Sequence, residues 1–277
     1  MIVETSAQHS PATLFDLEPS EALPHIAGEQ AVAPSVPVAG STVEGGAPTG
    51  PAWARRLAVF DLETTGIDVE TSRIVTANVS IIDHAGVSVS RLDWMADPGI
   101  PIPAQASAVH GVSTERAVAE GRPAAEVIAE IVDALTDVLD QGLSVVIYNA
   151  PYDLTLLDRE ARRYGIRSLR EPVPIVDPLV IDKALDRYRK GKRTLEAAAL
   201  HYQVELLDAH DAGADAIAAG RVAQALAHRY ATELDMAPRE LHHLQAQWFS
   251  EQATSFQEYM RRTKDPTFTA RTAWPLG

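Results

Sequence analysis

The chain has 277 residues, 46% of them hydrophobic, and 38 acids against 24 Lys and Arg give it a net charge of −14. That length and apolar content suit one large domain or a domain with appendages, and the lack of cysteine excludes disulfides and thiolate metal sites, leaving Asp, Glu and His as the available metal ligands. The opening Met1-Ile2-Val3-Glu4-Thr5 lacks the basic region and apolar run of a signal peptide, and no eighteen apolar residues run together, so a cytoplasmic protein without membrane contact is expected.

Residues 1–54 are rich in Pro, Ala, Gly, Ser and Val, with no sustained period. Such a segment buries too little apolar surface to offset its ordering entropy, and it reads as a disordered acidic tail. Its one apolar island, Thr13-Leu14-Phe15-Asp16-Leu17-Glu18, is a short docking motif or inert linker. The tail contains no Lys or Arg and six acids, so the rest of the chain carries −8. Acidity works against a nucleic-acid partner, whose phosphates are neutralised by Lys and Arg, unless some of those acids bind metal.

Leu57-Ala58-Val59-Phe60 reads as a buried strand that continues through Asp61-Leu62-Glu63 and ends at Thr64-Thr65-Gly66. Asp61 and Glu63 are two apart and project from the same face. Two anions at the end of an apolar strand repel each other and are costly to desolvate, which a bound cation relieves. Residues 73–83 and 87–95 read as two further strands around the turn His84-Ala85-Gly86, completing an antiparallel meander. Residues 97–103 read as extended loop, and Ala108-Val109-His110-Gly111 sets a histidine beside a glycine.

Helical periodicity follows over residues 122–139, then a buried strand over 144–149 and a helix over 152–164. A short strand at Val176 runs into a helix, and Lys183, Arg187, Arg189, Lys190, Lys192 and Arg193 form a basic cluster able to hold a phosphate backbone. A charge run of this kind is also what a solvated face looks like. Residues 194–202 and 212–230 read as helices, the second with Ala216, Ala219, Gly220 and Ala223 suited to close packing on a sheet. A last helix runs from Pro238 to about Arg262, and a frayed end is expected from Lys264. Strand and helix alternation after the meander implies a mixed sheet flanked by helices. Three segments are expected: 1–54, 55–232 and 233–277.

Asn149-Ala150-Pro151-Tyr152-Asp153 places Asp153 at a helix start, and His210-Asp211-Ala212-Gly213-Ala214-Asp215 places Asp215 at another. In one regular helix His210 and Asp215 would point about 140° apart, so His210 belongs on the loop before it. Each alone is adequate as an N-cap aspartate or a structural histidine. Together with Phe60-Asp61-Leu62-Glu63-Thr64-Thr65-Gly66, they form a pattern that resembles the DEDDh, or DnaQ-like, 3′–5′ exonucleases, the family of the proofreading epsilon subunit of bacterial DNA polymerase III. Pro101-Ile102-Pro103 and Val109-His110-Gly111-Val112-Ser113 resemble the family's inter-motif stretch, and the resemblance covers about residues 55–231.

The resemblance implies a ribonuclease H-like fold with a five-stranded mixed sheet. It implies that Asp61, Glu63, Asp153 and Asp215 hold two divalent ions, Mg²⁺ or Mn²⁺, with His210 as the general base, a role suited to histidine's usual titration near neutrality. The product would be a nucleoside 5′-monophosphate released from a nucleic-acid 3′ end. Thr64 and Thr65 match positions that contact the terminal nucleotide, and His110 and Tyr152 are candidates to pack against its base or sugar. DNA is the favoured substrate. An RNA 3′ exonuclease of the oligoribonuclease or RNase T type, and a non-catalytic nucleic-acid-binding scaffold, are the alternatives. A replication or repair partner is also implied, although Gln252-Ala253-Thr254-Ser255-Phe256, which loosely resembles clamp-binding peptides, falls inside a helix and reads better as helix surface.

Overall fold

The computed structural model describes residues 50–206 and 210–277; the expected tail over residues 1–49, with its apolar island, lies outside the described residues. Strand β1 (Leu57–Thr64) is central, between β2 (Ile74–Ile82), which pairs antiparallel, and β5 (Ser144–Val146), which pairs parallel. On one side the sheet continues through β3 (Ser88–Asp97) to β4 (Arg122–Pro123), and on the other to β6 (Ile175–Val176), giving the order β4-β3-β2-β1-β5-β6. The mixed sheet therefore has six strands among the described residues, rather than five. The sixth, β4, is a ladder of two residues, too short to carry a period, and the helix expected from Arg122 starts after it as α3 (Ala124–Asp140).

Two seven-residue helices, α1 (Ala104–His110) and α2 (Thr114–Glu120), follow the expected loop, over residues for which the sequence predicts no element. Local chemistry makes them: Gly111 takes the left-handed φ of 73° that ends α1, and the Ser113 side chain accepts from Arg116 N to start α2. The remaining helices are α4 (Ala150–Arg163), α5 (Pro178–Leu185), α6 (Leu195–His201), α7 (Ala212–Arg229), α8 (Ala231–Leu234) and α9 (Pro238–Thr263). No helix among the described residues is long and apolar enough to cross a membrane.

Both faces of β1 are buried, which is why its sequence is a continuous apolar run. Ala58, Phe60 and Leu62 pack in the cluster containing Val127, Ile131 and Leu135 of α3, while Leu57 and Val59 pack against Ala216, Ala219 and Ala223 of α7. The helix lies so close that a Cβ on Gly220 would fall 2.5 Å from Val59 Cγ1 and 2.6 Å from Ile82 Cδ1. By strand period, Asp61 and Glu63 extend the Leu57 and Val59 face toward the first turn of α7.

The ends of the described region are more tightly held than their composition predicts. Trp53 is 4% exposed and donates Nε1 to Leu234 O at 3.0 Å, so packing begins before the expected boundary at Ala54. The end expected to fray from Lys264 is also fixed. Trp274 is buried against the His242 ring with centroids 4.8 Å apart, and its Nε1 donates to Asp177 Oδ2 at 3.4 Å. Large aromatic area gives both segments reason to pack.

Helix α9 covers the outer edge of β6. Ile175 N donates to His242 Nδ1 at 3.1 Å, Asp177 N donates to Gln245 Oε1 at 2.7 Å, and Gln245 Nε2 donates to Ile175 O at 3.0 Å. Two side chains one helical turn apart thus replace a missing strand partner and hide the edge. Gln252 donates to Val180 O at 3.1 Å from the same helix, so the Gln252 to Phe256 stretch is helix surface turned onto α5.

Candidate active site

The parallel pairing of β1 and β5 brings the carboxyl ends of both strands to one edge of the sheet, where crevices form in α/β folds. Asp61 and Glu63 arrive there on β1. After β5 the chain turns sharply at Asn149, whose φ is 67°, and enters α4 with Asp153 in its first turn. That turn is locked from below: Asn149 N and Ala150 N each donate at 3.0 Å to the carboxylate of buried Asp177. Helix α7 supplies Asp215, also in a first turn, with Asp211 as N-cap accepting from Ala214 N at 2.9 Å.

The structure brings together all four acids and His210. Ligand atoms of Glu63, His210 and Asp215 lie within 4.8 Å of one another. Asp153, 3% exposed, joins from the α4 side, and the backbone of Leu62 favours its ionised form. Burial lifts Asp61 well above the usual carboxylate range, and repulsion from Asp153, Glu63 and Asp215 adds to it. Burial, then Asp215 and Asp211, push Glu63 up to about 8, and burial pushes Asp215 up to about 6. Asp153 is raised too, mainly by burial. Burial of several carboxyl groups in one cleft disfavours their charged forms, and repulsion between neighbours adds to it at Asp61 and Glu63.

His210 sits at a turn before α7 with φ 72°, its backbone N donating to Asp215 Oδ2 at 3.2 Å. Its ring is partly exposed, with Nε2 3.9 Å from Glu196 Oε1 on α6. The other Asp215 oxygen, Oδ1, is buried without a hydrogen-bond partner among the described residues. Neither Glu196 nor Asp211 stood out in the sequence. A loop histidine has no fixed periodicity, so the element that approaches it was not readable, but an Asp four residues before an Asp at a helix start was a usable cue.

The candidate substrate residues divide. Thr64 Oγ1 and Tyr152 OH lie 2.6 Å apart, and the hydroxyls of both bond Gly66 O, at 2.9 and 2.6 Å, joining the end of β1 to the start of α4. Thr65 is buried instead, its hydroxyl accepting from Arg73 N at 2.9 Å to close the loop between β1 and β2. His110 accepts from Val112 N through Nδ1 at 3.2 Å, and its Nε2 is buried. Burial lowers the His110 titration, with the nearby Thr64 backbone opposing and His210 adding to the effect, so the ring borders the same site.

The basic cluster is only partly available. Arg189 Nη2 and Arg193 Nη1 turn inward onto buried Asp182 Oδ2 at 2.7 and 2.6 Å, and Tyr202 OH donates to its other oxygen at 2.6 Å. A charge run in sequence conceals which of its members face a buried acid.

Comparison with known proteins places the chain in a family. A family model described as exonuclease spans residues 58–223. DNA polymerase III PolC-type of Lacticaseibacillus paracasei is 28% identical over 169 residues, 61% of this chain and 11% of that protein. A DNA polymerase III subunit epsilon-like protein of Rhodobacter capsulatus is 38% identical over 109 residues, 39% of this chain and 15% of that protein. The chain thus spans only about a tenth to a seventh of these relatives. The zinc-bound E. coli exonuclease I complex with single-stranded DNA shares the fold, with a TM-score of 0.54 and 18% identity over 63% of this chain and 41% of that one.

Proposed function

The chain belongs to the exonuclease family, and on that premise we propose that it hydrolyses single-stranded nucleic acid, DNA before RNA, from the 3′ end to nucleoside 5′-monophosphates. The supporting observation is the convergence of Asp61, Glu63, Asp153 and Asp215, all raised in pKa chiefly by burial, beside His210. The donor set fits hard divalent cations: all four are carboxylates, and Asp215 Oδ1 is buried without a hydrogen-bond donor among the described residues. These four would hold two ions, Mg²⁺ or Mn²⁺, which supply positive charge at the scissile phosphate, an activated water and stabilisation of the leaving 3′-oxygen.

The chain's own residues do the rest. His210 takes the proton of the attacking water as general base. Glu196 Oε1 stands 3.9 Å from its Nε2, on the side of the ring toward α6. The Thr64, Tyr152 and Gly66 linkage sets the floor on which the terminal nucleotide rests, and the His110 ring, which borders the same site, packs against its sugar or base. Thr65 acts by holding the loop in shape. Residues 55–232 form the exonuclease unit, and 233–277 are a helical extension bracing β6 and Asp177. A setting in replication or repair is suggested by the two polymerase III relatives.

The test follows 5′-labelled DNA and RNA oligonucleotides with Mg²⁺, Mn²⁺ or EDTA, for the wild type and Asp61→Asn. A metal-dependent ladder shortening from the 3′ end, absent in the variant, is the expected result, and the faster substrate decides DNA against RNA. No cleavage of either by folded protein with added metal refutes the reading.

A further inference from the structure

We propose that the turn between α5 and α6, residues 186–194, is a second contact surface for the single strand, where Tyr188 stacks on a base upstream of the cleaved nucleotide and Arg187 and Lys190 hold its phosphates. The inference deepens the exonuclease reading and rests on it.

The turn is built to be rigid while presenting these side chains. Arg189 and Arg193 are pinned on Asp182, and from there they bond the turn's own carbonyls: Arg189 Nη1 reaches Lys192 O at 3.0 Å, and Arg193 Nη2 reaches Asp186 O at 2.6 Å and Arg189 O at 3.2 Å. A turn stitched from inside loses little conformational freedom when it meets a ligand. Its acid, Asp186, is engaged by other groups, 3.2 Å from His201 Nε2 and 3.9 Å from Arg229 Nη2. What remains outward is cationic and aromatic. Arg187 and Lys190 are exposed and enter no ion pair among the described residues, and Tyr188 is 88% exposed with no aromatic partner among them. A large aromatic ring left in water between two cations is an unusual use of apolar surface in a chain with net charge −14. A single strand satisfies all three: phosphates take the cations, and any base offers a face to the ring.

Placement agrees. Arg193 O, at the end of the turn, accepts from Tyr148 OH at 2.7 Å, and Tyr148 precedes the Asn149 turn that leads to Asp153. Just beyond the turn on α6, Glu196 stands beside His210. The surface therefore adjoins the acids from the α6 side, where the rest of a strand would lie once its 3′ end was seated.

The test uses the full chain with Mg²⁺ on two substrates, oligodeoxythymidylate and the p-nitrophenyl ester of thymidine 5′-monophosphate, which fills only the cleavage position. Tyr188→Ala is expected to raise KM for the oligonucleotide roughly tenfold while leaving ester hydrolysis unchanged, and Tyr188→Phe to behave as wild type. The pair Arg187→Gln and Lys190→Gln should lower the slope of log affinity against log salt by about 1.4, two phosphate contacts on a single strand. Unchanged KM and slope overturn the proposal, as does equal loss on both substrates. If the wild type cleaves neither substrate, the exonuclease reading fails. Fluorescence anisotropy of labelled oligodeoxythymidylate in EDTA then decides the surface by itself, since equal affinity for wild type and Tyr188→Ala refutes it.

Discussion

Replacing Glu63 by Gln should make the metal-free protein more stable at high pH while removing a carboxylate from the proposed active site. Glu63 has no hydrogen bond among the described residues that an amide would break, and it titrates at about 8 rather than 4.5 because it is partly buried near Asp215 and Asp211. A folded pKa above the unfolded one means the folded chain holds the proton more tightly. The effect is absent below pH 4, where both states are protonated, and stability is lost as pH rises from 4.5 to about 8. At about 1.4 kcal/mol per pH unit, carrying that proton up to pH 8 sets an upper bound of roughly 4–5 kcal/mol, and solvent reaching the half-buried carboxyl reduces it to about 2. Urea denaturation in EDTA from pH 4 to 8 reads the difference directly. Glu63→Gln should match wild type at pH 4 and exceed it by about 2 kcal/mol at pH 8, about 4–8 °C in Tm for a domain of this size. Added Mg²⁺ should narrow the gap, because ions bound only by the folded state stabilise the intact four-acid set more. A variant less stable than wild type at pH 8, or a difference that does not change with pH, would refute the account of the acids as a mutually repelling cluster.

Two further predictions concern the frame. Gln245→Leu leaves Asp177 N and Ile175 O buried without their partners, so stability should fall by about 2–4 kcal/mol in urea denaturation, with kcat falling too as the Asn149 turn loosens. Arg193→Met removes one of two cations from buried Asp182; Tm should drop, corresponding to about 2–4 kcal/mol, and oligonucleotide KM measured below the new Tm should change less than in Tyr188→Ala.

The legible parts of this chain are those whose signal lies within a few residues. Leu57 to Phe60 announce a strand buried on both sides, Asp61 and Glu63 share a face by period two, and Ala216, Ala219 and Gly220 announce close helix packing; the structure shows each. What the sequence hides depends on distance or brevity. Strand β4 has no period to detect, α1 and α2 are single short helices defined by Gly111 and Ser113, and Trp53 sits in composition typical of tails until its partner Leu234, 181 residues away, is known. The inward turn of Arg189 and Arg193 was hidden for the same reason, since one acid at Asp182 decides which basic residues remain outside.

The same distinction separates the acids from what restrains them. Burial raises the pKa of all four acids, and the repulsion that adds to it at Asp61 and Glu63 pushes β1, α4 and α7 apart, so something must hold these three elements together. Gly220 holds α7 on β1 by a contact too close for any larger residue without a shift in Val59 or Ile82. Asp177 holds the start of α4 by accepting from Asn149 N and Ala150 N, and is itself held by Gln245 of α9 and Trp274. Helix α9 is therefore part of the support for Asp153, although it contributes none of the four acids. A family signature shows the acids, but the restraints come from whatever sequence packs behind them, and in this chain that includes residues beyond 223, where the family match ends. Cutting α9 away should accordingly cost activity through Asp153 before it exposes any of the substrate surface.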